Sequence, residues 1–375
     1  MKKFSILLMV LFFTVSCKSI AQDAKAIEST KQTKPQEKVT DWNKFMASKE
    51  EQWFGTEEAH KIAENVLLYQ RDIGGWPKNI QMQNPLSDNE VRQLLKMKND
   101  PTGCTADNGA TCQEMVFLAK VYRHFPEEKY KNAFLKGLMY LLMAQYDNGG
   151  WPQFYPLKKG YYTHITYNDD LMANILNILH VIKVHSKYNT IEIPTEIYNK
   201  SVIAFDKGIQ CILKTQYLQN GVLTGWCAQY DEFSLLPANA RAFELASLSG
   251  SESAKIVLLL MAIENPSVEI IQSVEAAHKW FEATKIVGYK VISIPIEKEQ
   301  KTDKVLVESP DAEPIWARFM ELKDNQPFFC DRDGIKKQAL SEIGYERRTG
   351  YKWYGNEPKE VLKKYPKWKE NLKVK

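Results

Sequence analysis

The sequence predicts a mainly α protein, an (α/α) toroid built from three helix-pair repeats and followed by a C-terminal segment. A recurring phrase carries this reading. It stands as Gly74-Gly75-Trp76-Pro77, Gly149-Gly150-Trp151-Pro152 and Thr224-Gly225-Trp226-Cys227, with its tryptophans 75 residues apart. Each phrase follows an apolar segment of helical period that ends in glutamine: IAENVLLYQ (62–70), LKGLMYLLMAQ (135–145) and GIQCILKTQ (208–216).

Between phrases lies a second helix of the same character. One runs from Gln113 to His124 after the capping-box pattern Thr111-x-x-Glu114, and another is LMANILNILHVI (171–182) after Asn168. The unit is therefore a pair of helices, and one pair cannot bury its own apolar face. Pairs that cover one another either close into a ring or stack into an open solenoid. The long unit and the non-repeating C-terminal third favour the ring. One helix ends at each phrase and the next begins shortly after, which puts the three turns on one rim. A lone Trp packs beneath its loop as readily as it meets a ligand; three on one rim can converge.

The remaining organisation is simpler. With 375 residues and 44% hydrophobic content, the chain can bury one large core or two modest ones. Lys2 and Lys3, an apolar run from Phe4 to Val15 and the small residues after it read as a bacterial export signal over 1–21. The exit is either cleavage after Ala21, giving a secreted or periplasmic protein, or lipidation of Cys17, which anchors it to a membrane. Residues 22–44 are polar and Lys- and Gln-rich and read as a flexible linker; 45–375 form the folded domain. Removing Lys2, Lys3 and Lys18 with the signal lowers the formal charge from +4 to +1. Such a balance gives no support to nucleic-acid binding, no protein partner is evident, and a monomer is expected. Beyond Cys17, the five cysteines have no C-x-x-C spacing, which argues against zinc. Cys104 and Cys112 could close a disulfide or lie buried as small apolar side chains.

The candidate chemistry follows the tryptophans. Asp107-Asn108-Gly109-Ala110-Thr111, Tyr167-Asn168-Asp169-Asp170 and Pro237-Ala238-Asn239-Ala240-Arg241 come after the first, second and third phrase. Singly, Asp107 and Asp169 are well explained as helix caps. Together, carboxylates from two repeats facing an arginine make an all-oxygen cation site of the calcium type, completed by water or substrate. The chain has eight arginines against 42 lysines, and five of them, Arg241, Arg318, Arg332, Arg347 and Arg348, fall in the last 135 residues. A guanidinium grips a carboxylate with two parallel bonds, so such a cluster suits a polymer with one carboxylate per sugar ring. The simpler explanation for any one of these arginines is a surface pair with a neighbouring acid.

From about Trp53 to Tyr354 the chain resembles family 10 of the polysaccharide lyases, the pectate lyases. The resemblance rests on GGWPKN (74–79), DNGAT (107–111), GGWPQFYP (149–156), ITYNDD (165–170), TGWCAQYDE (224–232), PANARAFELASLSGSES (237–253), WARFMEL (316–322), CDRDG (330–334) and YERRTGYKWYG (345–355). It implies the toroid fold and cleavage of pectate by calcium-assisted β-elimination. Arg241 would match the arginine that removes the C5 proton, while Asp107 and Asp169 or Asp170 would match the acids around Ca2+, with Asn108 close by. Arg318, Arg332 and Arg347 or Arg348 would match the grips on substrate carboxylates, making the C-terminal segment substrate-binding. Trp151 and Trp226 are expected to contribute platforms for the sugar rings.

A guanidinium is protonated at ordinary pH, so an arginine base requires surroundings that lower its proton affinity and an alkaline optimum. Two other readings fit the same residues: a glycoside hydrolase using Asp107 with Asp169 or Asp170 as its acid and base, and a non-catalytic polyuronate-binding lipoprotein.

Overall fold

The computed structural model describes residues 41–296 and 301–373. The expected export segment 1–21, with Cys17, lies outside the described residues. So does the expected linker, apart from residues 41–44, which enter the first helix.

Eleven α-helices are described: α1 (Trp42–Ala47), α2 (Glu57–Tyr69), α3 (Asp88–Lys96), α4 (Cys112–His124), α5 (Glu128–Ala144), α6 (Leu171–His185), α7 (Thr195–Thr215), α8 (Gly250–Met261), α9 (Val268–Thr284), α10 (Tyr345–Gly350) and α11 (Pro358–Lys373). Side chains of Asp41, Thr56, Ser87 and Ser267 accept the free N–H groups that open α1, α2, α3 and α9. The capping box expected at Thr111 and Glu114 does not form. Thr111 has φ 62° and no side-chain cap; its hydroxyl instead accepts from the Trp76 N–H and donates to the Thr105 carbonyl. Glu114, fully buried, accepts from the Trp42 indole N–H at 3.0 Å.

Consecutive helices pack as the pairs α4/α5, α6/α7 and α8/α9. The first members contact one another in the order α4, α6, α8, and the second members in the order α5, α7, α9. The expected toroid is corrected by what covers the ends. Helix α2 packs on α4 and α5, whereas α11 packs on α8 and α9. The pairs form a two-layered row capped by different helices, so their apolar faces are buried without closure into a ring.

The loops are tied by short antiparallel ribbons. Trp76–Pro77 pairs with Cys104–Thr105, Ile165–Thr166 with Gln229–Tyr230, Trp226–Cys227 with Leu248–Ser249, and Trp316–Ala317 with Tyr354–Gly355. One longer hairpin, Tyr289–Pro295 with Thr302–Glu308, is inserted after α9.

Each of Trp76, Trp151 and Trp226 is at most 1% exposed, which overturns the expectation that Trp151 and Trp226 are platforms on the rim. Their indole N–H groups donate to the Val66, Leu141 and Ile212 carbonyls of the preceding helix. A fourth member, Trp316, is buried in the same way and donates to Phe281. The repeated glutamines have a matching task. Gln70 Nε2 donates to Gly74 and Ala133, Gln145 Nε2 to Gly149 and Ala204, and Gln216 Nε2 to Thr224 and Ser273. Each thus ties its own loop to the outer helix of the next pair. The phrase is a packing device. Two phrase glycines, Gly74 and Gly149, have positive φ and lie so close to the Lys136 and Lys207 carbonyls that a Cβ would overlap them.

One core runs through the helical row and includes Phe117, Phe134, Leu141, Leu176, Leu260 and Phe281. Burial of each such side chain contributes roughly 1.5–3 kcal/mol. A second, mainly aromatic core of Phe319, Phe328, Phe329, Leu340, Ile343 and Trp353 supports the segment that carries the late arginines. Cys104, Cys112, Cys211, Cys227 and Cys330 are all free and buried, so the alternative of a Cys104–Cys112 disulfide is not realised. Burial pushes the Cys104 thiol up to about 12.

Candidate active site

Two of the rim segments form matching 3-10 turns, Asp107–Gly109 and Asn168–Asp170, which touch each other. Asn108 and Asp169 occupy equivalent places in them and share a left-handed backbone, with φ of 53° and 52°. Non-glycine residues adopt this conformation at a cost, and such cost is concentrated at functional sites.

Asp107 is buried. Its Oδ2 accepts from Gln153 Nε2 at 2.5 Å and from the Lys78 ammonium, while Oδ1 is buried with no hydrogen-bond partner. Asp169 Oδ2 accepts from Asn168 Nδ2 at 2.7 Å, and its Oδ1 faces Arg318 Nη2 at 3.7 Å. Asp170 Oδ2 lies 3.7 Å from Lys255. Surrounding protein, and then the charge of Asp107, raises the Asp169 carboxyl to about 6 despite Arg318. Burial likewise raises Asp170 to about 6, with Glu252 and Asp169 adding repulsion against the help of Lys255. Burial, more than mutual repulsion, disfavours the charged forms of Asp169 and Asp170. Asp169 and Asp170 open onto a cavity of about 600 Å³ whose walls also carry Asn108, Gln113, Asn174 and Asn177.

Arg318 joins this acidic side to a cationic one. Its Nη2 donates to Asn168 Oδ1 at 2.9 Å and to the buried Glu252 at 3.3 Å, and its guanidinium lies 4.5 Å from the Tyr351 ring centroid. Burial works against its charge, but Glu252, Tyr351 and Asp169 raise its proton affinity overall. Beyond Tyr351, the Arg241, Arg332 and Arg347 guanidiniums surround the Phe243 ring at 4.9, 5.2 and 4.0 Å. Arg347 is buried, also lies 4.3 Å from the Tyr351 ring, and leaves Nε and Nη2 without hydrogen-bond partners. Burial is the main influence that lowers its proton affinity, and the charge of Arg241 adds to it.

Arg241 lies in the turn before α8, its side chain half exposed. Its Nε and Nη2 donate to Glu244 Oε2 and Oε1 at 2.7 and 2.5 Å. That fork raises its proton affinity, the opposite of the lowering expected around an arginine base. The other two expected grips have partners elsewhere: Arg332 makes a two-bonded, exposed pair with Glu346, and Arg348 makes one with Asp303 of the hairpin. The structure thus gathers Asp107, Asn108, Asp169, Asp170, Arg241, Arg318, Arg332 and Arg347 along one face. Arg348 is engaged by the hairpin, and Trp151 and Trp226 lie beneath their loops.

The acids and the Asn108 and Asn168 amide oxygens make a hard oxygen set, and the orphaned Asp107 oxygen provides a ready ligand, so the residues fit calcium. Their oxygens are widely spread. Among the described residues, the trio of metal-binding side chains with ligand atoms within 4.8 Å of one another is His164, Asp231 and Glu232. There Asp231 Oδ1 already caps the Phe233 and Ser234 amides. A cation at the rim acids would therefore draw further ligands from water or substrate.

A model of the pectic acid lyase family matches residues 70–362. The chain belongs to this family. At 36% identity and a TM-score of 0.72, it is similar over 84% of its length to a family 10 polysaccharide lyase from Cellvibrio cellulosa, covering 94% of that chain. The same identity and TM-score relate it to a mutant of that lyase in complex with trigalacturonic acid, of which it covers 96%. No match was found among curated proteins. The pectate lyase likeness is therefore one of sequence and of architecture, and that architecture is the capped row of helix pairs.

Several members of this candidate site are not marked in the sequence. Lys78, Gln153, Phe243, Glu252 and Tyr351 lie inside the segments that carried the resemblance, but nothing in their spacing marks them. Glu244 could have been found, because an acid three residues after an arginine is within reach of it in a turn.

Proposed function

We propose that the protein cleaves polygalacturonate by calcium-assisted β-elimination, with Arg241 as the base. The observation that carries this reading is the continuous path from the carboxylates of Asp107 and Asp169, through Arg318, Tyr351 and Glu244, to Arg241. A cation held by these acids would stand beside a row of guanidiniums, an arrangement that suits a polymer with one carboxylate per ring.

Asp107, Asp169 and Asp170, with Asn108 close by, would hold the ion, and their negative charges favour its arrival. When bound, Ca2+ supplies positive charge to the carboxylate next to C5. Arg318 and Arg347 offer donors to substrate carboxylates; Arg332 could do so by exchanging Glu346 for substrate. Arg241, once deprotonated, takes the C5 proton. The C5–H electron pair becomes the C4=C5 double bond, O4 leaves with the pair of the broken bond and gains a proton from solvent, and the guanidinium returns its proton to water. Free carboxylates suit this guanidinium row better than methyl esters, so substrate of low esterification is expected. A polymer substrate accords with export through the signal at 1–21, in soluble form or anchored through Cys17.

The test is to incubate the protein with polygalacturonate at roughly pH 8 to 10, with calcium or with a chelator. Ultraviolet absorbance from unsaturated ends should rise only with calcium. No rise with calcium present would overturn the proposal. Cleavage without absorbance would indicate hydrolysis, and binding without cleavage a non-catalytic role.

A further inference from the structure

The two-bonded pair between Arg241 and Glu244 bears on how an arginine can act as a base. Glu244 takes three N–H groups of Arg241, from the backbone at 3.4 Å, Nε at 2.7 Å and Nη2 at 2.5 Å, and accepts from the Tyr351 hydroxyl at 3.2 Å. The turn itself enforces the meeting, since the Ala240 and Glu244 N–H groups close it onto the Glu244 and Arg241 carbonyls at 2.9 and 2.7 Å. Glu244 keeps only 12% of its side chain exposed, while Arg241 keeps 50%, so the pair is anchored on the acid and open at the base.

We propose that Glu244 is a positioning residue that aims the Arg241 guanidinium and sets the pH at which it becomes a base. The proposal rests on the reading of Arg241 as the proton acceptor. Two parallel N–H bonds to one carboxylate are stronger from the charged guanidinium than from the neutral one, so Glu244 opposes loss of the proton. The same fork stabilises the guanidinium that forms when the C5 proton arrives. The charged and titratable groups around Arg241 divide in the same sense. Arg347 and Arg332 on the shared Phe243 ring favour the neutral form, whereas Tyr161 and Tyr351 join Glu244 in favouring the charged one. The acid is the member of this set that bonds the guanidinium directly, and its effect dominates.

The experiment compares pH profiles of kcat for wild type, E244Q, E244D and R241K on polygalacturonate with saturating calcium, with folding followed by circular dichroism. In E244Q the amide keeps an acceptor but not the charge, so the rising acidic limb should move toward lower pH by at least about one unit. E244D keeps the charge on a shorter side chain and should leave the limb near its wild-type position with a reduced kcat. An unmoved limb in E244Q overturns the proposal, as does an E244D limb that moves as far as that of E244Q. If E244Q does not fold, a large E244D shift still overturns it and a wild-type E244D limb supports it. An R241K profile equal to wild type overturns the base reading and this proposal with it. An inactive R241K beside an unmoved E244Q limb overturns the role of Glu244 alone.

Discussion

Asp169 holds its left-handed turn, close to Asp107 and Glu252, and among the described residues its ion-pair contact is with Arg318 at 3.7 Å. Its carboxyl rises from 3.8 to about 6, and Asp170 does likewise. Between those values the folded chain binds more protons than the unfolded one. The contribution of these two groups to the stability of the ion-free protein is therefore greatest below the lower value and falls as pH rises through about 6. At pH 8 the removal of this charge by Asp169→Asn should raise Tm by about 2 °C, a modest shift because 40% of the side chain is exposed. The same variant should lose most of the further rise that calcium gives wild type. Thermal melts with and without calcium check both signs. The segments that hold Asp107, Asp169 and Asp170, Arg241, and Arg347 and Arg348 were legible in the sequence because arginine is sparse and the phrases are specific; which member of each adjacent pair matters was not. Their partners were not legible either, since nothing local links Lys78 to Asp107 or Arg318 to Glu252; those meetings are made by the fold.

At the scale of elements, the phrase read as an exposed platform is a buried latch of three parts. Trp fills the gap under the loop, Gln ties that loop to the outer helix of the next pair, and Gly allows the backbones to meet. Gly149→Ala tests the latch, because its Cβ would overlap the Lys207 carbonyl at a φ of 95°. It should destabilise by at least about 3 kcal/mol, measured as a lower midpoint in urea. The spacing of 75 residues was legible; the fourth buried tryptophan was hidden. Trp316 stands 90 residues after Trp226 because the hairpin Tyr289–Pro295 and Thr302–Glu308 interrupts the count. Burial was illegible for a related reason: a Trp beside a Gly-rich turn has the same sequence whether its indole faces the groove or donates to a helix carbonyl beneath.

Across the whole molecule, the helix pairs were legible and their closure was not. Periodicity reports that each pair needs a neighbour, and it says nothing about what covers the last one. Here α2 and α11 cap the two ends, and the row presents the acids of its early turns and the arginines of its late segment on one face. Catalysis at that face is the central claim, and the mass of the fragments tests it most directly. Polygalacturonate digested with calcium by the wild-type chain should give oligomers lighter by one water, with a double bond at the new end, and Arg241→Ala should release them at least about 100-fold more slowly. Fragments that carry the full water of hydrolysis, or unsaturated fragments released by Arg241→Ala at the wild-type rate, would contradict it.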